Sequence, residues 1–476
     1  MKGTTRMVET DFSKLPLRPE LRENLETLGF LQMTPIQAHT LPLILAGEEI
    51  VAQSETGTGK TAAFGLGLLQ SLKPKLFSTQ ALVLCPTREL SNQVADTLRA
   101  LVRRIPNIKI LSLTGGTPLG PQIRSLQHPP HVVVGTQGRL EDLLRKSKLS
   151  LSTANYVVID EADKMLEMGF AEPVIRILEN TPKERQTLLF SATFPQRVQD
   201  LVNHVARTPK HITVKPNLHT NVIEQSIYPV RTATQRPQCL IDLLLCVQPK
   251  STLVFCNTKN VCRRLAQSLV EQGFHALDLH GDMEQKARNE TLLLFANQSI
   301  SVLIATDVAA RGIDVQNIDL VVNYHPAMNL EAHTHRIGRT GRAGQSGIAV
   351  TLLLEAERQH FDDYTQNEWG IIPPFSTHQR PRARVSEFAP AKRTIVLKAG
   401  KQQKLRKGDI LGALTRSDHV AASDVGQIEI FWNESFVAVS REIAQRALVQ
   451  LRDNPIKGRQ VRVAYCKRAP SANATS

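Results

Sequence analysis

Seven short apolar runs, each ending in a polar residue and followed by a segment with helical spacing, recur through residues 45–350. The runs are ALVLCPT (81–87), HVVVGT (131–136), YVVIDEAD (156–163), TLLFSAT (187–193), TLVFCNT (252–258), SVLIATD (301–307) and LVVNYH (320–325). Continuous apolar runs joined by helices are typical of buried strands in parallel sheets. Because ligands bind beyond the carboxyl ends of such strands, the polar residues that end the runs are where we expect functional chemistry.

The alternation pauses at two proline-containing stretches, which divide the chain into separate folded parts. Two α/β halves are expected before the second pause, and a small α+β unit after it. A length of 476 residues agrees with about three domains of ~150 residues. The predicted parts are an N-terminal extension (1–24), a first α/β domain (25–208), a linker (209–221), a second α/β domain (222–370), a linker (371–392), the α+β unit (393–468) and a disordered tail (469–476).

The composition excludes several classes of protein. Because 41% of the residues are apolar, wholesale disorder is excluded. No apolar run approaches the ~18 residues that a membrane helix needs, and the start of the chain, MKGTTRMVETDF, lacks the apolar stretch of a signal peptide. The six cysteines form no C-x-x-C pair, which disfavours a zinc site or a disulfide framework. These features predict a soluble, cytoplasmic protein with no membrane partner.

The net charge of +14 is concentrated at one end of the chain. Residues 371–476 carry 19 Lys and Arg against 8 Asp and Glu, whereas residues 1–370 carry 39 against 36. A near-neutral body with a strongly basic end indicates a polyanionic partner. A solubilising surface is the alternative, and membrane binding is disfavoured because the basic region is not one amphipathic helix.

The segment SETGTGKT (54–61) lies between a strand-like and a helical segment, which is the context of a phosphate-binding P-loop. Gly57 and Gly59 permit the close backbone approach that a phosphate cradle needs. Lys60 supplies a positive charge to the outer phosphates, and Thr61 offers a hydroxyl to Mg²⁺. Ser54 stands where the usual pattern has its first glycine. The alternative is a chance glycine-rich turn, which this context disfavours.

The DEAD segment (160–163) places two adjacent carboxylates at the end of a strand. Such carboxylates suit a metal–nucleotide site, where Asp160 would hold Mg²⁺ and Glu161 would orient and deprotonate the attacking water. A solvated acidic turn is the alternative.

The segment HRIGRTGR (335–342) places three arginines and a histidine within eight residues. Arginines from a second domain can stabilise the charge on a phosphoryl group in transfer, and Arg339 and Arg342 are the candidates for that role. A general nucleic-acid patch is the alternative.

Together these motifs resemble those of the DEAD-box ATP-dependent RNA helicases, and the resemblance covers residues 12–370. The further matching motifs are GFLQMTPIQ (29–37), PTREL (86–90), GG (115–116), TQGR (136–139), SAT (191–193), VFCNT (254–258), LHGDMEQKAR (279–288) and ATDVAARGID (305–314). The resemblance implies two tandem RecA-like parallel-sheet domains that use ATP and Mg²⁺ and bind RNA with little sequence preference. TQGR departs from the family pattern because Gln137 replaces a proline; this residue either loosens the loop or adds an RNA contact.

The resemblance also implies a role for each matching residue. Catalysis would involve Glu161, Asp160, Lys60, Arg339 and Arg342, with Thr61 and Asp160 at the metal. The nucleotide would be bound by Phe12, Gln37, Ser54, Glu55, Thr56, Gly57, Thr58, Gly59, Lys60, Thr61 and Asp314, where Gln37 reads the adenine, Phe12 stacks on it and Asp314 contacts the ribose. The RNA backbone would lie on Arg88, Gly116, Arg139, Arg288 and Thr306. Hydrolysis would be coupled to strand separation through Ser191, Thr193 and His335.

The C-terminal unit has an element order compatible with an RNA-recognition motif (RRM). Its segment WNESFVAV (432–439) matches the aromatic-rich RNP1 pattern poorly, and Glu434 stands where a stacking aromatic is expected. Basic residues instead crowd two segments, which predicts recognition of folded RNA by charge and shape. The candidate RNA-binding residues are Lys401, Lys404, Arg406, Lys407, Lys457 and Arg459.

The helicase motifs combined with GKQQKLRKGDILGAL (400–414) and IKGRQVRV (456–463) resemble the DbpA subfamily. This resemblance implies a monomeric helicase directed to 23S ribosomal RNA in pre-50S particles, where it serves assembly of the 50S subunit. A nonspecific basic RNA tether is the alternative for the C-terminal unit. A general RNA chaperone or decay helicase and an ATP-gated RNA clamp remain alternatives for the whole chain, and a DNA helicase is disfavoured.

Overall fold

The computed structural model describes residues 10–54, 57–214, 223–310, 318–341, 346–365, 370–371, 385–416 and 420–467. The chain divides into two compact units, Met1–Asn217 and Leu218–Ser476. Within the described ranges, no helix combines the length and the apolar character needed to cross a membrane.

The first unit is an α/β domain built on a seven-stranded parallel sheet. Its strands are β1 (Ile50–Gln53), β2 (Ala81–Leu84), β3 (Ile110–Leu113), β4 (Val132–Gly135), β5 (Tyr156–Ile159), β6 (Gln186–Ser191) and β7 (Lys210–Thr213), in the order β3-β4-β2-β5-β6-β1-β7. Its helices are α1 (Pro19–Thr27), α2 (Pro35–Leu45), α3 (Lys60–Ser71), α4 (Arg88–Leu101), α5 (Leu119–Leu126), α6 (Gln137–Arg145), α7 (Ala162–Glu167), α8 (Ala171–Leu178) and α9 (Gln196–Val205). Alternate residues of β2 belong to two different core clusters, one on each face of the sheet. Burial on both faces explains why the strands are continuously apolar.

The second unit begins with another seven-stranded parallel sheet. Its strands are β8 (Ile223–Val230), β9 (Thr252–Phe255), β10 (Ala276–Leu279), β11 (Val302–Ala305), β12 (Leu320–Asn323), β13 (Gly347–Leu354) and β14 (Gly370–Ile371), in the order β10-β11-β9-β12-β13-β8-β14. Its helices are α10 (Arg236–Val247), α11 (Lys259–Glu271), α12 (Gln285–Ala296), α13 (Asp307–Ala310), α14 (Leu330–Ile337) and α15 (Glu355–Thr365). The two tandem RecA-like sheets confirm the predicted fold class.

The second unit ends in a four-stranded antiparallel sheet with two helices. Its elements are β15 (Lys392–Leu397), α16 (Lys407–Leu414), β16 (Val425–Ile430), β17 (Ser435–Ser440), α17 (Ala444–Asp453) and β18 (Val463–Tyr465), and the strand order is β16-β17-β15-β18. With the strands renumbered from one within this domain, the order is 2-3-1-4, which is the arrangement of a βαββαβ fold such as the RRM.

The structure extends the folded domains into two of the predicted linkers. Strand β7 lies in the segment 209–221 and pairs with β1 as an edge strand. Within the segment 371–392, Phe388 is buried and packs edge-on against Phe274, with ring centroids 5.4 Å apart. At the N-terminal side, α1 runs across the predicted boundary at residue 25 and buries Leu21 and Leu25 in the first core. The predicted tail, 469–476, lies outside the described residues.

Candidate functional site

Three neighbouring strands of the first sheet, β5, β6 and β1, bring three of the motifs to one edge. Strand β1 leads into the P-loop segment, β5 into DEAD and β6 into SAT. The backbone N–H of Ser54 donates to the carbonyl of Ser191 at 3.0 Å, which ties the start of the P-loop to the end of β6. The strand order therefore explains how segments distant in sequence form one site.

The P-loop has the left-handed backbone that its glycines permit. Gly57 and Gly59 have φ of +84° and +94°. A Cβ at Gly59 would lie 2.5 Å from Gln37 Nε2, so both the conformation and the space at this position require glycine. Lys60 begins α3, and its Nζ donates to the carbonyl of Ser54 at 2.9 Å, while Ser54 Oγ lies 2.7 Å from Thr58 Oγ1. Lys60 is thereby positioned over the loop.

The segment around Gln37 contacts the P-loop directly. Gln37 Oε1 accepts from Thr34 N at 2.9 Å, and Gln37 Nε2 donates to the carbonyl of Gly59 at 3.1 Å. The amide therefore joins the start of α2 to the phosphate cradle. Phe12 is 4% exposed and packs edge-on against Phe30 at 6.3 Å, in the core of the first domain. Stacking of Phe12 on an adenine stays a prediction.

Asp160 and Glu161 are both buried at the end of β5. Burial raises the pKa of Asp160 to about 6, with Lys60 acting against this shift and Glu161 reinforcing it. Asp160 Oδ1 is buried with no hydrogen-bond partner among the described residues. Glu161 has φ of +54°, and its Oε1 lies 2.8 Å from Nζ of the buried Lys164. A buried carboxylate oxygen without a donor fits a site for a cation or for its bound water.

Asp163 connects the DEAD and SAT motifs, a role that our reading of the sequence missed. Its Oδ2 accepts from the backbone N–H groups of Ala192 and Thr193 at 3.0 and 2.9 Å. Its own N–H donates to Ser191 Oγ at 3.2 Å. Burial acts to raise the pKa of Asp163, but the bond from Thr193 and the nearby Lys164 hold it below its usual range. Asp163 therefore links the DEAD segment directly to residues 191–193.

The candidate RNA residues of the first domain lie on the other half of the same sheet edge, after β2, β3 and β4. The side chain of Arg88 packs on Gly115, where a Cβ would lie 3.1 Å from a terminal guanidinium nitrogen. Gly116 has φ of +71°. Arg139 donates from one terminal nitrogen to the carbonyl of Thr117 at 3.1 Å, and its other terminal nitrogen is buried without a partner within the described ranges. Both arginines thus converge on the 115–117 turn.

Gln137 begins α6 and is only 1% exposed. Its amide donates to Met165 Sδ at 2.8 Å. The side chain points into the protein and so is not placed to contact RNA in this structure, while its effect on the loop stays a prediction.

In the second domain, Arg336 joins three strand ends and was also missed as a functional residue. It is 1% exposed, and its guanidinium bonds both carboxylate oxygens of Asp307 at 2.6 and 2.7 Å. It also donates to Asn257 Oδ1 at 3.0 Å, to Asn323 Oδ1 at 3.3 Å and to the carbonyl of His325 at 2.8 Å. The buried positions of α14, at 333, 336 and 337, have the spacing of an inward helical face, which is the signal that distinguishes Arg336 from its neighbours.

The other candidates of the second domain lie around the same sheet edge. Arg288 donates to the carbonyl of Ala309 at 2.8 Å, and Thr306 follows β11 directly. His335 lies in the last turn of α14, and Arg339 is buried just beyond it. Four further candidates, Glu55, Thr56, Asp314 and Arg342, lie outside the described residues.

The two basic segments of the C-terminal domain meet in space. Lys457 Nζ donates to the carbonyl of Lys404 at 3.0 Å and lies 3.6 Å from Asp409 Oδ2. The candidate side chains are exposed, and they form what we call the basic cluster: Lys401, Lys404, Arg406, Lys407, Lys457 and Arg459.

The face of the C-terminal sheet on which an RRM stacks bases is covered by the second RecA-like domain. Val396 and Phe436, paired across β15 and β17, belong to the same core cluster as Phe295 of the second domain. Thr394 Oγ1 lies 2.8 Å from Asn297 Nδ2, from which it accepts. Glu434 joins the two domains by an ion pair with Lys286 of α12 at 3.2 Å, and it also pairs with Lys398, the residue after β15, at 2.6 Å. Base recognition on this face is therefore blocked.

Profiles of three protein families match the chain in succession. The DEAD/DEAH box helicase family matches residues 34–201, the helicase conserved C-terminal domain matches 235–344, and the DbpA RNA binding domain matches 394–464.

Curated relatives and solved structures agree with these profiles. The chain is 46% identical over 464 residues to the ATP-dependent RNA helicase DbpA of Escherichia coli K12, covering 96% of this chain and 100% of the relative. It is 34% identical to DbpA of Bacillus subtilis, covering 95% and 98%. Among solved structures, S. cerevisiae Dbp5 bound to RNA and ADP BeF3 aligns with a TM-score of 0.68 and 30% identity, covering 77% of this chain and 96% of that one.

Proposed function

Since the chain belongs to the DbpA subfamily of the DEAD-box ATP-dependent RNA helicases, we propose that it remodels 23S ribosomal RNA during assembly of the 50S subunit. The observation that carries the proposal is the basic cluster. It presents positive charge on exposed loops, whereas the base-stacking face of the sheet is covered, which suits a folded RNA recognised by its shape. The helicase core would then act on whatever RNA the cluster holds nearby.

In this proposal the first domain binds the nucleotide. Lys60 interacts with the outer phosphates, Glu161 orients and deprotonates the attacking water, and Gln37 reads the adenine. Thr61 and Asp160 would hold Mg²⁺, whose chemistry is to neutralise charge on the phosphates. Asp160 Oδ1, which has no hydrogen-bond partner within the described ranges, supports that assignment. Arg339 and Arg342 would stabilise the charge of the phosphoryl group during transfer.

Coupling to RNA would pass through the hydrogen bonds of Asp163. Loss of the γ-phosphate would alter the surroundings of Glu161. The hydrogen bonds that Asp163 accepts from Ala192 and Thr193 would carry that change to residues 191–193. Arg88, Gly116 and Arg139 would grip one RNA strand by its phosphates, without sequence preference. We propose further that the protein acts as a cytoplasmic monomer.

The test compares ATPase stimulation by a 23S rRNA hairpin fragment with stimulation by poly(A). Deletion of residues 380–476 is a poor variant, because it would expose the apolar surface around Phe295. We therefore favour the triple substitution of Lys401, Lys404 and Lys457 by Ala. It should remove the preference for the rRNA fragment while leaving stimulation by poly(A).

The triple variant should also lower the slope of log Kd against log salt concentration by about 2 to 3, since three phosphate contacts are lost. A control that removes three exposed lysines of the first unit, Lys75, Lys148 and Lys183, changes net charge equally and should keep the preference. Equal stimulation of the wild-type protein by both RNAs would instead identify a general RNA helicase.

A further inference from the structure

The turn between β16 and β17, residues 431–434, presents two adjacent aromatic side chains to solvent. Trp432 is 64% exposed and Phe431 is 40% exposed. Tryptophan has a very large apolar side chain, so leaving most of it exposed to water forgoes a large favourable free energy of burial. Exposed aromatics beside basic residues are the usual platform on which unpaired bases stack.

The backbone of this turn is fixed before any ligand binds. Phe431 N donates to the carbonyl of Glu434 at 2.8 Å, which closes the turn. Lys401 N donates to the carbonyl of Phe431 at 2.8 Å, and Gln402 N donates to that of Trp432 at 2.9 Å. A Cβ at Gly400 would clash with the carbonyl oxygen of Phe431, so the two loops pack as closely as a glycine permits. A ligand would therefore order little more than one side chain.

The charges around the turn favour an anionic ligand. Lys398 and Lys286 both pair with Glu434, two residues after Trp432, and their side chains remain 55% and 66% exposed. Lys401, the first residue of the basic cluster, is bonded to the turn through its backbone. A phosphate-bearing chain at Trp432 would meet these ammonium groups, whereas a cationic partner would be repelled.

The docked sheet brings the turn to the helix that carries a candidate RNA contact of the second domain. Lys286, which pairs with Glu434 of the turn, and Arg288 both lie in the first turn of α12. Residues two apart lie on different faces of a helix, so an RNA strand would have to cross about the width of α12, ~10–12 Å, to pass from Arg288 to the turn. That path is within the reach of a few nucleotides.

We propose that Trp432 is a stacking site for an unpaired base, where RNA passes from the second RecA-like domain to the basic cluster. The site replaces, at the edge of the sheet, the platform that docking has covered on its face. The inference rests on the proposed function in that the RNA must be one that the basic cluster holds.

The first test measures Kd for a 23S rRNA hairpin fragment carrying a single-stranded extension. Trp432→Ala should weaken binding about 5- to 150-fold, the usual effect of removing one stacked base. Trp432→Phe should restore affinity to within about threefold, because a smaller aromatic still stacks. Phe77→Ala removes a 70% exposed aromatic of the first unit and should leave Kd unchanged.

The second test uses the emission of Trp432 itself. The chain has two tryptophans, so Trp369→Phe leaves Trp432 as the single emitter. The extended fragment should quench this emission, and a blunt, fully paired hairpin should not. Unchanged affinity of Trp432→Ala together with unquenched emission would overturn the stacking site and favour a protein contact at the turn.

If the fragment fails to stimulate the wild-type ATPase, the proposed function fails, yet quenching of the Trp432 emission by poly(A) would still support stacking.

Discussion

Replacing Arg336 by lysine should destabilise the second RecA-like domain, even though the charge is kept. The guanidinium of Arg336 makes five hydrogen bonds from three nitrogens, to Asp307, Asn257, Asn323 and the carbonyl of His325. A lysine ammonium is a single point with three donors, and it cannot reach acceptors that lie on opposite sides of a planar fork. The lysine ammonium could donate to Asp307 and to one other group.

At least two acceptors would then lose their donor; of the three at risk, Asn323 is fully buried, His325 is half-buried and Asn257 is exposed. Leaving a buried acceptor without its donor costs about 1–3 kcal/mol, so the local free energy of unfolding should fall by about 2 kcal/mol. Hydrogen exchange of backbone amides measures that local free energy without assuming two-state unfolding of a multidomain chain. Exchange in β9, β12 and α14 should become about 30-fold faster, while peptides of the first unit should not change.

The matched control is Arg358→Lys. Arg358 is 42% exposed and bonds only one turn away, to Asp362 at 2.8 Å, so its replacement should change stability by less than about 0.5 kcal/mol. If Arg336→Lys and Arg358→Lys give the same exchange rates, the multiple bonds of Arg336 do not hold the strand ends together and the reasoning fails.

Two further predictions concern acidic residues. Glu161→Gln should lower ATP turnover about 10²- to 10⁴-fold, because an amide cannot accept a proton from water. The variant should keep ATP-dependent RNA binding. Substantial turnover in a steady-state ATPase assay would refute the role of Glu161 as the base. Burial acts to raise the pKa of Glu434, but the hydrogen bonds from Lys398 and Lys286 lower this pKa overall. The ionised Glu434 side chain therefore stabilises the fold fully above its ordinary pKa of 4.5, and this stabilisation is lost as the pH falls through the lowered pKa. In acid unfolding, the stability advantage of the wild-type protein over Glu434→Gln should therefore shrink as the pH falls below 4.5, and a difference that stays constant with pH would contradict this account.

The regular parts of the fold could be predicted because local sequence and tertiary burial agree there. Each of the seven apolar runs forms a strand, and the P-loop segment lies between β1 and α3 as expected. Strand β7 was missed because its residues, KHIT, are mostly exposed at the edge of the sheet. An edge strand has one neighbour and little buried surface, so it carries no apolar signature. In the C-terminal domain, α16 begins where Asp409 accepts from Arg406 N at 2.8 Å and so caps the helix.

The contacts between segments far apart in the sequence could not be predicted in the same way. Thr394 and Phe436 are ordinary strand residues, and nothing adjacent in the chain indicates that they face a second domain. Asp163 stands in a motif that was recognised, but its partners 192 and 193 become visible only when β5 and β6 are neighbours. The motifs therefore indicated which segments meet at the sheet edge, whereas the hydrogen bonds between those segments become visible only in the structure.

Covering the sheet of the C-terminal domain changes how that domain can choose its RNA. A four-stranded sheet with exposed aromatics reads two or three bases directly, but here Phe436 is 3% exposed and Glu434 is held in ion pairs. Under the two proposals above, recognition would fall to the rim of the sheet, namely the basic cluster on the loops and Trp432 at the 431–434 turn. Charges on a rigid rim select a folded RNA by the spacing of its phosphates, and one stacking position adds a requirement for an unpaired base at a set distance. Because the ion pair between Glu434 and Lys286 ties the 431–434 turn to α12, the proposed selection of the RNA and its proposed contact with Arg288 would both involve one compact unit.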